Sequence, residues 1–377
     1  MVPAILTENI LNERDKRLLE RAYDNIMKNV SASTGCPWSP YRGIRPGRNE
    51  YFKGIWNWDS AFHAMCVSRW DKELAIETLR AFMQYQREDG MFADVIRDDG
   101  KVENISSKPP VLATYVLLTY QRSNDKAFLK ESFVRLKKNV KFWEKSRSEN
   151  GLFFYDAEIE DLKERDQYAR WESGWDDSVR WDRDILKLYP IDLQCYMVMF
   201  YRALATMAEI FGENTTEWKQ KEIILVEQIN EKFYSEEKGI YTDIFKSNGE
   251  FSDVYSPASF MPLYIGVVPM ERANKMANFC KEHFYPAMPT VAYDDPSYVG
   301  NYWRGHSWLN VAYFAIKGLK QYGFESLAND MRNTLLDFAD KNSDGIYEKY
   351  DADTGEGKGC PCFSWSSAFL MEFILNF

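Results

Sequence analysis

The chain has 377 residues, 45% hydrophobic and 28% charged, the balance of a globular protein with a sizeable core. Its 47 Lys and Arg against 57 Asp and Glu leave a formal net charge of −10, which argues against a nucleic-acid partner, because phosphate binding needs a basic face. No apolar run approaches the ~20 residues of a membrane span, so no membrane partner is expected. The first residues also lack the basic-then-apolar pattern of a signal peptide. The six cysteines (Cys36, Cys66, Cys195, Cys280, Cys360 and Cys362) show no CxxC spacing, and the three histidines (His63, His283 and His306) are far apart. Neither a disulfide framework nor a metal centre is expected, and reduced thiols without a leader point to the cytoplasm.

Helical periodicity dominates. Phe128, Leu129, Phe133, Leu136, Val140 and Trp143 recur at spacings of three and four, the stripe of an amphipathic helix, and Phe324 to Phe338 repeats the pattern. About twelve helices are predicted, near 8–29, 56–69, 71–88, 110–122, 126–149, 190–212, 215–233, 256–265, 270–283, 302–319, 324–340 and 363–376. The connections alternate between brief and long, with long ones at 30–55, 89–109, 150–189, 234–255, 284–301 and 341–362. Helix pairs joined tightly at one end and loosely at the other predict an all-α (α/α)6 toroid, a closed ring of six hairpins. Its long loops would emerge on one face. No Pro/Gly/Ser linker divides the chain, so a single catalytic domain over 1–377 is expected. An open solenoid lacks a fixed-period repeat to support it.

The aromatic excess, 12 Trp, 23 Tyr and 24 Phe, is unevenly placed. Trp38, Trp56, Trp58, Trp171, Trp175, Trp181, Trp303, Trp308 and Trp365 lie in the long connections or in the first turn of the following helix. Flat rings interleaved with carboxylates and amides suit a sugar cleft, in which pyranose faces stack on aromatics and hydroxyls bond to polar groups. Aromatics that merely plug one end of the ring are the alternative.

Four segments carry the candidate chemistry. Gly54-Ile-Trp56-Asn-Trp58-Asp59 runs from a loop into a helix, where Asp59 could also be a simple cap. Gln86-Arg-Glu-Asp-Gly90 and Ser107-Lys-Pro109-Pro110 taken alone are turn chemistry. Trp171-Glu172-Ser-Gly174-Trp175-Asp176-Asp177-Ser-Val-Arg180-Trp181-Asp182 makes a poor helix and a poor core segment. A carboxyl enclosed by its rings would have a raised pKa and could act as a general acid. In Asp344-Gly-Ile-Tyr347-Glu348-Lys349-Tyr350, a nearby cation would keep Glu348 ionised as a general base, although strand alternation could send the Lys349 ammonium away. Asp340-Lys-Asn342-Ser-Asp344-Gly345 also copies the first half of a calcium loop, or is an ordinary polar turn.

These residues resemble a known family. Trp56-Asn-Trp58-Asp59-Ser, Gln86 to Gly90, Ser107-Lys-Pro-Pro, Glu172-Ser-Gly-Trp-Asp176, Tyr302-Trp-Arg-Gly-His-Ser-Trp308, Glu348-Lys-Tyr-Asp351 and Phe363-Ser-Trp365 look like successive signatures of the clan containing glycoside hydrolase families 63 and 37. Tyr302-Trp-Arg-Gly is closer to family 63, and the short chain resembles compact bacterial enzymes acting on glucosylglycerate, mannosylglycerate or disaccharides. The resemblance implies an inverting exo-acting α-glycosidase, most readily an α-glucosidase, with a small carbohydrate substrate and no cofactor. It makes Asp176 the general acid and Glu348 the general base. Trp56, Trp58, Asp59, Gln86, Gly90, Trp175, Tyr302, Trp303, His306, Trp308 and Trp365 become candidate substrate-binding residues. Inversion needs room for a water, hence a carboxyl separation of roughly 6.5–9.5 Å. An epimerase or lyase using His306, or a carbohydrate-binding protein without catalysis, are the alternatives.

Overall fold

Polar residues open several helices as their chemistry dictates. The Asn12, Asp71, Asp125 and Asp161 side chains each accept a hydrogen bond from a backbone N–H of the first turn, contacts worth about 1 kcal/mol apiece. In the computed structural model, which describes residues 2–8, 10 and 12–377, thirteen α-helices follow in order. They are α1 (Glu13–Asn29), α2 (Asn57–Val67), α3 (Lys72–Met83), α4 (Leu112–Ser123), α5 (Lys126–Ser146), α6 (Leu162–Ser173) and α7 (Ile191–Ile210). The rest are α8 (Thr216–Lys232), α9 (Met261–Tyr264), α10 (Met270–His283), α11 (Leu309–Gln321), α12 (Glu325–Lys341) and α13 (Ser364–Leu375).

Two kinds of helix alternate. Every residue of α2 is buried, as are all but the last of α13, so these helices have no solvent face. In α8, by contrast, only Trp218, Leu225 and Ile229 are buried, the narrow stripe of a helix packed on one side. Contacts arrange six helices cyclically: α2 packs on α4, α4 on α7, α7 on α9, α9 on α11, α11 on α13, and α13 returns to α2. Outside them, α1 packs on α13, α3 on α2, α5 on α4, α8 on α7 and α12 on α11. The short strands all lie in the long connections. The largest group is an antiparallel sheet of β1 (Gly54–Trp56), β2 (Val95–Arg97) and β3 (Val102–Glu103), with Trp56 opposite Val95.

Three expectations are corrected. The segment at 256–265 is a 3-10 turn (Pro257–Phe260) leading into the single turn α9, with prolines at the start of both pieces. Residues 302–308 precede α11 instead of beginning it, because Tyr302 takes a positive φ of 38° that no helix accommodates. The connection at 150–189 contains α6, which ends at Ser173 with Gly174 in the left-handed region, and its Glu172, Trp175, Arg180 and Trp181 are buried. Buried charges there are paired: Arg180 meets Asp192 at 2.7 Å and Asp243 at 2.9 Å, while Arg147 meets Glu172 at 2.9 Å.

Candidate active site

Five of the six long connections supply residues to one cavity. Its wall comprises Pro46, Phe52, Trp56, Trp58, Asp59, Lys108, Gly174, Asp176, Tyr302, Trp303, Trp308, Glu348, Phe363 and Trp365. Local structure explains how each is presented. Strand β1 ends at Trp56, whose carbonyl accepts from Ser60 at 2.6 Å, and the Asn57 amide donates to Ala93 at 2.9 Å. Those bonds fix the sharp entry into α2 and place Trp58 and Asp59 in its first turn. Gly174 is a conformational necessity. Its φ is +74°, and a Cβ there would come within 2.4 Å of the Trp58 indole.

The rings form a continuous wall. Trp303 and Trp308 stack at 4.0 Å and 9°, Trp308 meets Trp365 edge-on at 5.6 Å, and Trp365 meets Trp58 at 5.0 Å. The Tyr302 loop is stapled to the Asp176 segment. Trp303 N–H donates to Asp177 at 3.2 Å, Arg304 pairs with Asp182 at 2.7 Å, and the Tyr302 hydroxyl donates to Asp176 Oδ2 at 2.7 Å. Buried Glu172 ties neighbouring connections together by accepting from Ser107 N–H at 2.9 Å and Asp156 N–H at 2.8 Å.

Electrostatics divides the carboxyl groups. Burial pushes Asp176 up, against the Lys108 ammonium and the Tyr302 hydrogen bond, which favour its ionised form. Burial likewise raises Asp59 to about 8 and Asp94 to about 7. Lys108 lies 3.3 Å from Asp94 and donates to the Trp171 carbonyl, so one cation serves three enclosed carboxyl groups. Glu348 stands differently. Its Oε2 accepts from Cys360 N–H at 3.2 Å and lies 3.4 Å from the Lys349 ammonium. Alternation does not separate the pair, because the Lys349 stem crosses the rings of Tyr302 and Trp308, with Nζ 4.6 and 5.0 Å from their centroids.

Four expected binding residues stand outside the wall. The Gln86 amide donates to the Gly90 and Arg135 carbonyls at 2.9 and 2.8 Å, and Gly90 abuts α5 so closely that a Cβ would lie 2.2 Å from the Lys138 carbonyl. Together they dock a turn. Trp175 sits behind Trp303, 5.0 Å away, with Arg180 against its own ring. His306 is buried, and burial pushes its imidazole down to about 4. Among the nine expected cleft tryptophans, Trp38, Trp171, Trp175 and Trp181 also lie off the wall; Trp171 is on the outside of α6, and Trp38 is buried with its indole N–H on Ser31. The cavity adds Lys108, Pro46, Phe52, Gly174 and Phe363. Lys108 and Phe363 stood inside recognised motifs, whereas nothing in the sequence marked Pro46 or Phe52. The candidate calcium ligands are engaged elsewhere: Asp340 pairs with Arg17, Asn342 bonds Gly355 and Gly357, and Asp344 accepts from Tyr347.

With this geometry in place, similarity to known proteins is informative. The family model for the mannosylglycerate hydrolase MGH1-like glycoside hydrolase domain matches residues 51–366. A mannosylglycerate hydrolase from Rubrobacter radiotolerans is 24% identical over 88% of this chain and 93% of its own. The fold matches a family 63 mannosylglycerate hydrolase from Thermus thermophilus, solved with Tris and D-glycerate. That match has a TM-score of 0.80 and 22% identity, and covers 94% of this chain and 99% of that one. It also matches the neutral trehalase of Saccharomyces cerevisiae, with a TM-score of 0.73 and 17% identity over 89% and 74% of the two chains. The chain belongs to the mannosylglycerate hydrolase MGH1-like glycoside hydrolases of family 63, closer to that family than to the trehalases.

Proposed function

We propose that this glycoside hydrolase is an inverting, exo-acting α-glycosidase that cleaves a small hexosyl-glycerate, with glucose or mannose as the non-reducing sugar. The observation that carries the reading is that Asp176 and Glu348 line one cavity with different partners, Asp176 under the Tyr302 hydroxyl and Glu348 against the Lys349 ammonium. Asp176, whose protonated form burial favours, gives its proton to the glycosidic oxygen. Glu348, braced by an ammonium and a backbone N–H on Oε2, takes a proton from water on the other face of the ring. Trp56, Trp58, Trp303, Trp308 and Trp365 supply apolar faces for the sugar, with Asp59 and Tyr302 as hydrogen-bonding partners. The cyclic order of helix contacts and the likeness to the Thermus enzyme support an (α/α)6 toroid beneath the site.

Glycerate as the leaving group is supported by the relatives that carry mannosylglycerate in their names. The epimerase or lyase alternative loses support because His306 is outside the cavity wall. A cytoplasmic setting is supported by six free cysteines, and no described helix is long and apolar enough to cross a membrane. The test is hydrolysis of glucosylglycerate, mannosylglycerate, trehalose and simple α-glucosides and α-mannosides by the wild type, Asp176→Asn and Glu348→Gln. Turnover of a hexosyl-glycerate that both substitutions remove supports the assignment. Preference for trehalose, or a variant retaining wild-type rates, overturns it.

A further inference from the structure

The Lys349 ammonium is the only lysine or arginine group within ion-pair distance of the Glu348 carboxylate among the described residues. It is nearly enclosed, with 9% of its side chain exposed, and lies outside the set of side chains that form the cavity wall. Its surroundings are unusually complete. The carboxylate oxygen Oε2 is 3.4 Å away on one side, and the faces of Tyr302 and Trp308 lie on the other. The same Tyr302 donates its hydroxyl proton to Asp176 Oδ2. Lys349 therefore touches the base directly and the acid through one aromatic ring.

The backbone beside it has been kept clear. A Cβ on Gly359 would fall 2.2 Å from Glu348 Oε2 and 2.8 Å from Lys349 Nζ, so only glycine leaves room for the pair. The Cys360 N–H that follows reaches the same Oε2. Both donors thus converge on one oxygen, and Oε1 has no hydrogen bond among the described residues. A general base needs one oxygen held and the other available to water.

We propose that Lys349 is the positioning residue of the base: its ammonium fixes Glu348 Oε2 from behind the cavity wall and couples the base to Asp176 through Tyr302. This rests on the assignment of Glu348 as general base. The charged and titratable groups around the ammonium are Glu348 on its own segment, Asp176 and Asp177 opposite, and His306 and Lys358 on the flanking segments. Asp59 also acts on Glu348 from α2. With Asp59, Asp176 and Asp177 close by, loss of the ammonium removes the cation that offsets their negative charge beside Glu348.

The experiment is the pH dependence of kcat and KM for Lys349→Met and Lys349→Arg on mannosylglycerate or glucosylglycerate, whichever the wild type turns over faster. Lys349→Met is expected to lower kcat at neutral pH about tenfold or more and to leave KM within about twofold. It should also move the acid limb of the profile upward by about one pH unit, the size of a lost neighbouring charge. Lys349→Arg should restore the limb, because charge and ring contact both survive. An unmoved limb in Lys349→Met overturns the proposal, as does a KM rise without a limb shift, which would mean a substrate contact. If Lys349→Met does not fold, the arginine variant decides alone: a limb displaced despite the retained charge overturns it. Glu348→Gln separates the two readings. Retained turnover there removes the base assignment, whereas loss there with an unmoved Lys349→Met limb removes only the role of Lys349.

Discussion

The two sides of the cavity teach more by contrast than either does alone. On one side, Asp59, Asp94 and Asp176 all face the Lys108 ammonium, and burial raises all three carboxyl groups. On the other side, the Lys349 ammonium lies 3.4 Å from Glu348 and a backbone N–H reaches the same oxygen. Both sides are lined by tryptophan, so the difference lies in the groups that face each carboxyl. In the proposed reading, one cavity thereby offers both a proton donor and a proton acceptor, the separation that acid–base chemistry requires.

The contrast is broken most completely by removing either member. Asp176→Asn and Glu348→Gln should each lower kcat by about 10²–10⁴-fold with far-ultraviolet circular dichroism unchanged. Next is Gly359→Ala. Its methyl group meets the far end of the Glu348 side chain, so the carboxylate should move, and at a φ of +77° any side chain also strains the backbone. A displaced base is expected to cost on the order of 10²-fold in kcat, and native far-ultraviolet circular dichroism at the assay temperature would separate this effect from unfolding. On the acid side, Lys108→Met removes the leading influence that favours ionised Asp176. Asp176 should then hold its proton to higher pH, moving the alkaline limb of the rate profile upward by about one unit. A limb that moves downward contradicts the shared-cation reading.

The smallest effect concerns stability. Burial holds Asp59 at about 8, above the ~3.9 of an unfolded aspartate. Between these values the folded chain binds more protons than the unfolded one, so its stability is fully present below about pH 4 and falls as pH rises through 8. Asp59→Asn should therefore raise the melting temperature relative to wild type at pH 9 more than at pH 5, while impairing turnover. A difference independent of pH would remove the buried-carboxyl account of Asp59.

Much of this is legible in the residues alone. The three-and-four spacing locates the helices, since long amphipathic stripes leave few alternatives, and the motifs place Asp176 and Glu348 in segments that prove to share one cavity. What fails has local physical causes. Gln86 and Gly90 form a conspicuous turn whose partner, the Lys138 carbonyl on α5, is distant in sequence. Trp175 and Trp303 look alike in sequence, yet only one faces the cavity, because orientation depends on the left-handed Gly174 and the paired Arg180 behind. Lys108 is visible within a motif, but its three carboxyl neighbours come from separate elements. Alternation along residues 348–350 leaves the Lys349 ammonium ambiguous, and ring faces from another connection settle its course.

If two carboxyl groups act from opposite faces of the sugar, the stereochemistry of the first product reports it directly. Proton NMR during hydrolysis of mannosylglycerate or glucosylglycerate should show the β-anomer of the released hexose first, with the α-anomer growing in only by mutarotation. An α-anomer that forms first would mean retention, and would contradict the division of labour between Asp176 and Glu348.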